Sequence, residues 1–204
     1  ARGRRYRWPV QEPAELARTA PDLGAPASKE ILLLTPHRGA VLKPCTGRTE
    51  SLLCCNLRVL TQTVGCPLDC SYCVLQSYQN RGVISVGADV GAVLQRLEAE
   101  ARRRPRRPMR VCTGQVGDSL ALEPWIGVAA RAVCVAARLP NILLELKTKT
   151  DLVEPLLGLP HGGRTVVSWS LSPEAVARRE EHSCATTAQR LAAAARVAEA
   201  GYLV

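Results

Sequence analysis

The sequence predicts an α/β fold built on a parallel sheet, and three observations predict it. From Leu57 onward, stretches of strand character alternate with apolar residues at helical spacing, which is the pattern of consecutive βα units. Prolines, glycines and capping residues stand at the joins between them. The composition, 47% apolar and 22% charged over 204 residues, fits one globular domain with or without an extension, and excludes a disordered, collagenous or coiled-coil chain.

Taken in order, the first forty residues are rich in Pro, Ala and Arg and have no sustained period. Residues 1–56 are therefore expected to form a loosely ordered basic extension, and residues 57–204 the folded domain. Leu57 to Val64 reads as one strand running into a cysteine-rich loop. Val90, Val93, Leu94, Leu97 and Ala101 recur at i, i+3, i+4, i+7 and i+11, one face of a helix that Pro105 stops. Met109 to Cys112 is a short strand.

Pro124 suits the first turn of a helix whose apolar face is Ile126, Ala129, Val133 and Ala136, closed by Pro140. Ile142 to Thr148 is the next strand, Asp151 is expected to cap a short helix ending near Gly158, and Thr165 to Leu171 is a strand. Thr187 starts an alanine-rich helix that ends at Gly201, and Tyr202-Leu203-Val204 opens a further strand. A chain that stops on a strand start reads as truncated at its carboxyl end.

Net charge is 27 − 18 = +9, which favours an anionic partner such as nucleic acid. Arg102-Arg103-Arg104-Pro105-Arg106-Arg107 and the arginines of the amino terminus could follow a phosphate backbone, or simply be solvated. No apolar run is long enough to cross a bilayer: Ile31 to Leu34 is an aliphatic run of only four residues, the apolar stretch from Trp125 to Leu139 is broken by Arg131 and Arg138, and no secretory apolar region is present. Nine cysteines in such a chain argue for a reducing, cytoplasmic setting and for metal chemistry in place of disulfides.

Cys66-Pro67-Leu68-Asp69-Cys70-Ser71-Tyr72-Cys73 has the spacing C-x3-C-x2-C. Three thiolates on one tight loop can hold three irons of a [4Fe-4S] cluster and leave the fourth open to a small ligand. A closed zinc site needs four ligands in paired spacings, and no partner pair is evident. Cys45, Cys54 and Cys55 precede the loop, but adjacent cysteines are poor joint ligands for a second cluster; Cys134 and Cys184 read as structural.

The loop resembles the signature of the radical S-adenosylmethionine enzymes. Gly65 to Gln76, together with Leu146-Lys147-Thr148-Lys149, His161-Gly162-Gly163-Arg164-Thr165, Trp169-Ser170-Leu171 and Val197-Ala198-Glu199-Ala200-Gly201-Tyr202, is similar to the spore photoproduct lyase family over roughly residues 40 to 204. The resemblance implies a partial parallel (β/α) barrel with the cluster at its carboxyl-end mouth. It implies two cofactors, a [4Fe-4S] cluster on Cys66, Cys70 and Cys73 and S-adenosyl-L-methionine (SAM). It also implies a reducing electron donor and ultraviolet-damaged DNA as substrate.

By the same resemblance, Tyr72 packs beside the adenine, Gly114 and Gln115 stand where the cofactor amino group is received, and Lys149 pairs with its carboxylate. Ser170 follows at the next strand end. Cys112 falls where the family carries a hydrogen-atom-donating cysteine. Val74 stands where the family has a relay tyrosine, and valine carries no radical. That departure leaves open a radical enzyme acting on another substrate; a non-catalytic iron-sulfur or nucleic-acid-binding module is the third reading.

Overall fold

A computed structural model describes residues 29–36, 39–45, 55–78 and 83–204. Among these residues eight strands fall into two sheets. One has five strands in the order β2 (Leu42–Pro44), β3 (Arg58–Leu60), β6 (Met109–Thr113), β7 (Ile142–Thr148), β8 (Thr165–Trp169). All of its neighbours are parallel except β2 with β3. The other orders β1 (Leu32–Thr35), β5 (Ile84–Gly87) and β4 (Thr63–Val64). The helices are α1 (Leu75–Tyr78), α2 (Val90–Arg103), α3 (Glu123–Ile126), α4 (Val128–Ala137), α5 (Glu174–Glu180) and α6 (Thr187–Glu199).

The expected α/β class with a mainly parallel sheet holds, and side-chain alternation explains which face the helices cover. Val111, Leu144, Leu146 and Val167 share one face of the larger sheet and are fully buried in one apolar cluster with Leu97 of α2, Val133 of α4 and Val197 of α6. The opposite face carries Arg110, Cys112, Glu145, Lys147 and Ser168, and is more open. The α2 face is the one its period predicts: Val90, Val93, Leu94, Leu97 and Ala101 are buried. Its last carbonyls are satisfied by the Asn141 amide, which donates to Ala101 and Arg104 at 3.0 Å.

Four local expectations are corrected. The strand foreseen over Leu57 to Val64 divides between the two sheets. The corner is held by Gln62, whose carbonyl accepts from Gly87 N (2.9 Å) and whose amide donates to Gly87 O (2.6 Å). The single helix from Pro124 breaks at Gly127, which is left-handed at φ 58°. There the buried Glu123 carboxylate accepts from Ala129 N and Ala130 N at 2.8 Å and so starts α4 afresh.

Asp151 caps no helix; residues 154–158 form turns with bonds such as Leu156 N to Val153 O and Leu157 N to Glu154 O. Pro155 and Pro160 lack the donors that an α-helical ladder needs. Finally, β1 and β2 lie within the stretch whose composition suggested a loose extension, and they join the two sheets. Their few residues are too short a window for a period to register. At the other end α6 starts as foreseen, Thr186 and Gln189 forming a capping box. No helix among the described residues is long and apolar enough to cross a membrane.

Candidate active site at the carboxyl ends of the parallel strands

The loop Cys66–Cys73 is fastened on three sides. Gly65 N donates to Val116 O at 2.9 Å, in the loop that follows β6. Lys29 reaches Leu68 O at 3.1 Å and the Asp69 carboxylate at 2.5 Å. The segment after α5 supplies the third hold: Ser71 N donates to Glu180 O (2.9 Å) and His182 N to Asp69 O (3.3 Å). Close approach of the first two loops needs glycine at 117, where a Cβ would meet Gly65 O at 2.7 Å.

Leu68, Cys70 and Ala121 form a small buried apolar cluster against which Cys66, Cys73 and Cys184 pack. Burial, then the Asp118 charge, pushes the Cys66 thiol up to about 12, with Cys73 and Cys70 adding to it and a backbone bond from Leu68 opposing. Its surroundings thus disfavour a bare thiolate at Cys66. A cluster of positively charged irons reverses that balance, so the donor set fits an iron-sulfur group. Among the described residues no three His, Cys, Asp or Glu side chains converge on a point for a single metal ion; cubane ligands each take a different iron and need not converge.

The ends of β6 and β7 are tied by Asp118, which the sequence reading missed. Its carboxylate accepts from Leu120 N and Ala121 N (both 2.9 Å), Thr148 Oγ1 (2.8 Å) and Lys149 N (2.9 Å). Burial raises its pKa against these bonds. Ser119 adds a second tie, accepting from Thr113 Oγ1 (2.7 Å) and from Lys147 N (3.0 Å). Gly114 turns the chain between them at φ +78°, with no room for a Cβ beside Ser119 Oγ. Gln115 lies in this loop, half-buried.

Glu181, also missed, is the hub of the other half. It is buried, and accepts from the Tyr72 hydroxyl, from Arg190 Nη2 and from Ser172 Oγ (2.9 Å). Burial pushes its pKa up, but the bonds from Tyr72, Arg190 and Ser172, with the Arg190 charge, outweigh it and hold the carboxyl below its usual range. Lys149 Nζ stands 4.0 Å from Glu181 and 5.7 Å from the centre of the Tyr72 ring. Tyr72 is therefore no core-filling aromatic: the residue is 52% exposed. Ser170 N donates to Thr148 O (3.1 Å) and its carbonyl accepts from Arg190 Nη1 (2.9 Å), which joins the end of β8 to the same hub.

The structure thus brings together Cys66, Cys70, Cys73, Tyr72, Lys149 and Ser170, with Gly114 and Gln115 on the loop that Asp118 and Ser119 tie down. Cys112 sits one residue inside the end of β6, on the open face beside Glu145 of β7. It is 8% exposed, and burial, followed by the charges of Glu145 and Cys45, pushes its thiol up to about 11. Cys184, expected to be structural, lies with its sulfur 3.5 Å from that of Cys70. Cys134 is half-buried on α4 and Cys55 is exposed; Cys54 lies outside the described residues.

The family model described as spore photoproduct lyase matches residues 57–204. Among solved structures, a cysteine-to-serine variant of spore photoproduct lyase aligns with a TM-score of 0.78 and 22% identity, over 98% of this chain and 55% of that one. A spore photoproduct lyase complexed with dinucleoside spore photoproduct gives 0.78 and 22%, over 99% and 54%. A double variant of the lyase with bound AdoMet and dinucleoside spore photoproduct gives 0.78 and 23%, over 97% and 54%. The chain therefore spans about half the length of these structures, and at such identity the likeness is one of fold. A search of curated proteins gave no match.

Proposed function

Since the chain belongs to the spore photoproduct lyase family, we propose that it is a radical SAM enzyme of the reducing cytoplasm, repairing ultraviolet-linked thymines in DNA. The observation that carries this reading is the three-cysteine loop bound to the strand ends where Lys149 and Tyr72 stand together. Residues 57–204 form the reacting unit, with residues 1–56 as a basic extension that lends strands to its sheets.

Cys66, Cys70 and Cys73 would hold the [4Fe-4S] cluster, one iron each. When bound, the cluster and SAM supply one-electron chemistry that generates a radical able to abstract hydrogen, given a reducing electron donor. Lys149 offers the carboxylate of SAM a charge already oriented by Glu181. Tyr72 has an exposed ring face for the adenine, and its hydroxyl is anchored on Glu181. Gly114 and Gln115 border the place of the amino group, Gln115 offering an amide where a charge is usual. Ser170 closes the side toward β8.

Cys112 donates a hydrogen atom to the substrate radical: its S–H bond breaks, a C–H bond forms, and the unpaired electron moves to sulfur. A thiol raised to about 11 is protonated at neutral pH, the form this step requires. Val74 cannot return the hydrogen, so recycling of the sulfur radical falls to another donor. A thymine lesion in a duplex must be unstacked to reach this thiol, and the +9 charge suits a polyanionic substrate.

Anaerobic reconstitution with iron and sulfide, reduction, and chromatography for deoxyadenosine in the presence of dinucleoside spore photoproduct test the reading. Deoxyadenosine with release of repaired dithymidine is expected. Cluster-loaded protein that yields neither would overturn it.

A further inference from the structure

At the opposite end of the larger sheet, the surface forms a solvent-open cavity of about 420 Å³, within the usual size range for small-molecule sites. Its wall takes Arg58 from β3, Arg96 and Arg103 from α2, and Arg104 and Arg107 from the connection leading to Met109. Five guanidinium groups come from three separate parts of the fold, and the one carboxylate in the lining, Glu100, is 3.8 Å from Arg103.

Several arginines elsewhere are paired, Arg102 with Glu98, Arg110 with Glu145, Arg190 with Glu181 and Arg196 with Glu154. Arg58, Arg96, Arg104 and Arg107 make no salt bridge among the described residues. Arg58 is half-buried, on the helix-facing side of β3 in register with Val111. A guanidinium cannot shed its proton to relieve this crowding. Arg96, Arg104 and Arg107 are exposed and Arg58 half-buried, so solvent screens part of their mutual repulsion, and a ligand carrying several negative charges offsets what remains.

We infer that this cavity binds phosphate groups, two or more at a time, in a site separate from the cysteine loop. Planar guanidinium forks match phosphate oxygens in pairs. A single carboxylate leaves most of the charge unmet, whereas an oligophosphate or successive backbone phosphates meet it. The site lies at the start of β6, and the four-residue rise of that strand puts it roughly 13 Å from the end that carries the reaction. The phosphates could come from a free nucleoside polyphosphate or from a polynucleotide strand; the shared chemistry is the same.

The test is equilibrium binding to the full chain without its cluster, using sodium tripolyphosphate by calorimetry and a labelled single-stranded oligothymidine by anisotropy. Arg58→Gln/Arg96→Gln and, on the exposed connection, Arg104→Gln/Arg107→Gln are compared with the charge-matched control Arg178→Gln/Arg196→Gln, with thermal melts to confirm folding. Both pocket variants should lose tripolyphosphate affinity by about tenfold or more, and the control should stay close to the parent. A parallel loss of oligonucleotide binding, with competition by tripolyphosphate, identifies a strand as the source. Unchanged oligonucleotide binding identifies a free polyphosphate. Absence of saturable tripolyphosphate binding, or an equal loss in the control, overturns the inference. Because neither readout depends on cluster or SAM, its failure is distinct from failure of the proposed activity.

Discussion

The sulfur atoms of Cys70 and Cys184 lie 3.5 Å apart, although 114 residues separate them. The contact pairs a motif cysteine with one from the segment that also grips the loop backbone, Glu180 O accepting from Ser71 N and His182 N donating to Asp69 O. It lowers the pKa of Cys70 and raises that of Cys184, so the member that ionises is the motif one. With Cys70 as a cluster ligand, as proposed, Cys184 would be an outer partner that orients it. Cys184→Ser should keep its iron after anaerobic reconstitution, whereas Cys70→Ala, Cys66→Ala and Cys73→Ala should lose it. Iron analysis that found Cys184→Ser as depleted as Cys70→Ala would make it a ligand.

Lys149 and Lys147 are two residues apart but face different surroundings. The Lys149 side chain is 20% exposed beside Glu181 and Tyr72, whereas Lys147 projects from the open face of β7. Lys149→Ala should weaken SAM binding by roughly 2 kcal/mol, the scale of a partly buried charge-assisted contact. Calorimetry on the cluster-loaded protein checks this, and a larger loss in Lys147→Ala would assign the carboxylate contact to Lys147 instead.

Much of the frame was legible in the sequence, because it rests on short-range patterns. The α2 stripe, the bounds of β7 and the capped start of α6 all follow from residues within a few positions of each other. The cysteine loop was legible for the same reason. What escaped were partners distant in the chain: Tyr72 and Glu181 are 109 positions apart, and no period links them. Asp118 was missed because its four bonds serve two loops that meet only once β6 and β7 pair. Asp151 misled, since a capping residue says nothing of the two prolines that follow it.

Glu181 gives the fold an acid sensitivity whose sign is fixed. Its pKa is depressed in the folded state, so its contribution is complete above the ordinary carboxyl value of 4.5 and is lost as pH falls below that toward the folded value. Asp118 and Glu123, raised by burial, act in the opposite sense. The comparison must therefore be with Glu181→Gln, not with the parent at one pH. Urea unfolding should give a variant less stable than the parent at pH 7, with the gap narrowing as pH falls below about 4.5. A gap independent of pH would remove Glu181 as the ionised hub.

Cys112 should act after cofactor cleavage. It lies outside the cluster loop, its register neighbour on β7 is Glu145, and its thiol, near 11, stays protonated across the neutral range. Cys112→Ala should therefore bind the cluster and release deoxyadenosine, yet with dinucleoside spore photoproduct give misquenched by-products in place of clean repair. In the parent the product distribution should be constant between about pH 6 and pH 9, since a donor with so high a pKa does not titrate there. Val74 is 69% exposed at the end of the loop, where a tyrosine side chain would meet no packing penalty. Val74→Tyr should then raise the number of turnovers per enzyme without changing the first one, because a relay returns hydrogen to the sulfur radical only after the first repair. If Cys112→Ala leaves the products unchanged, the thiol is a structural residue and hydrogen return comes from elsewhere on the open face of the sheet.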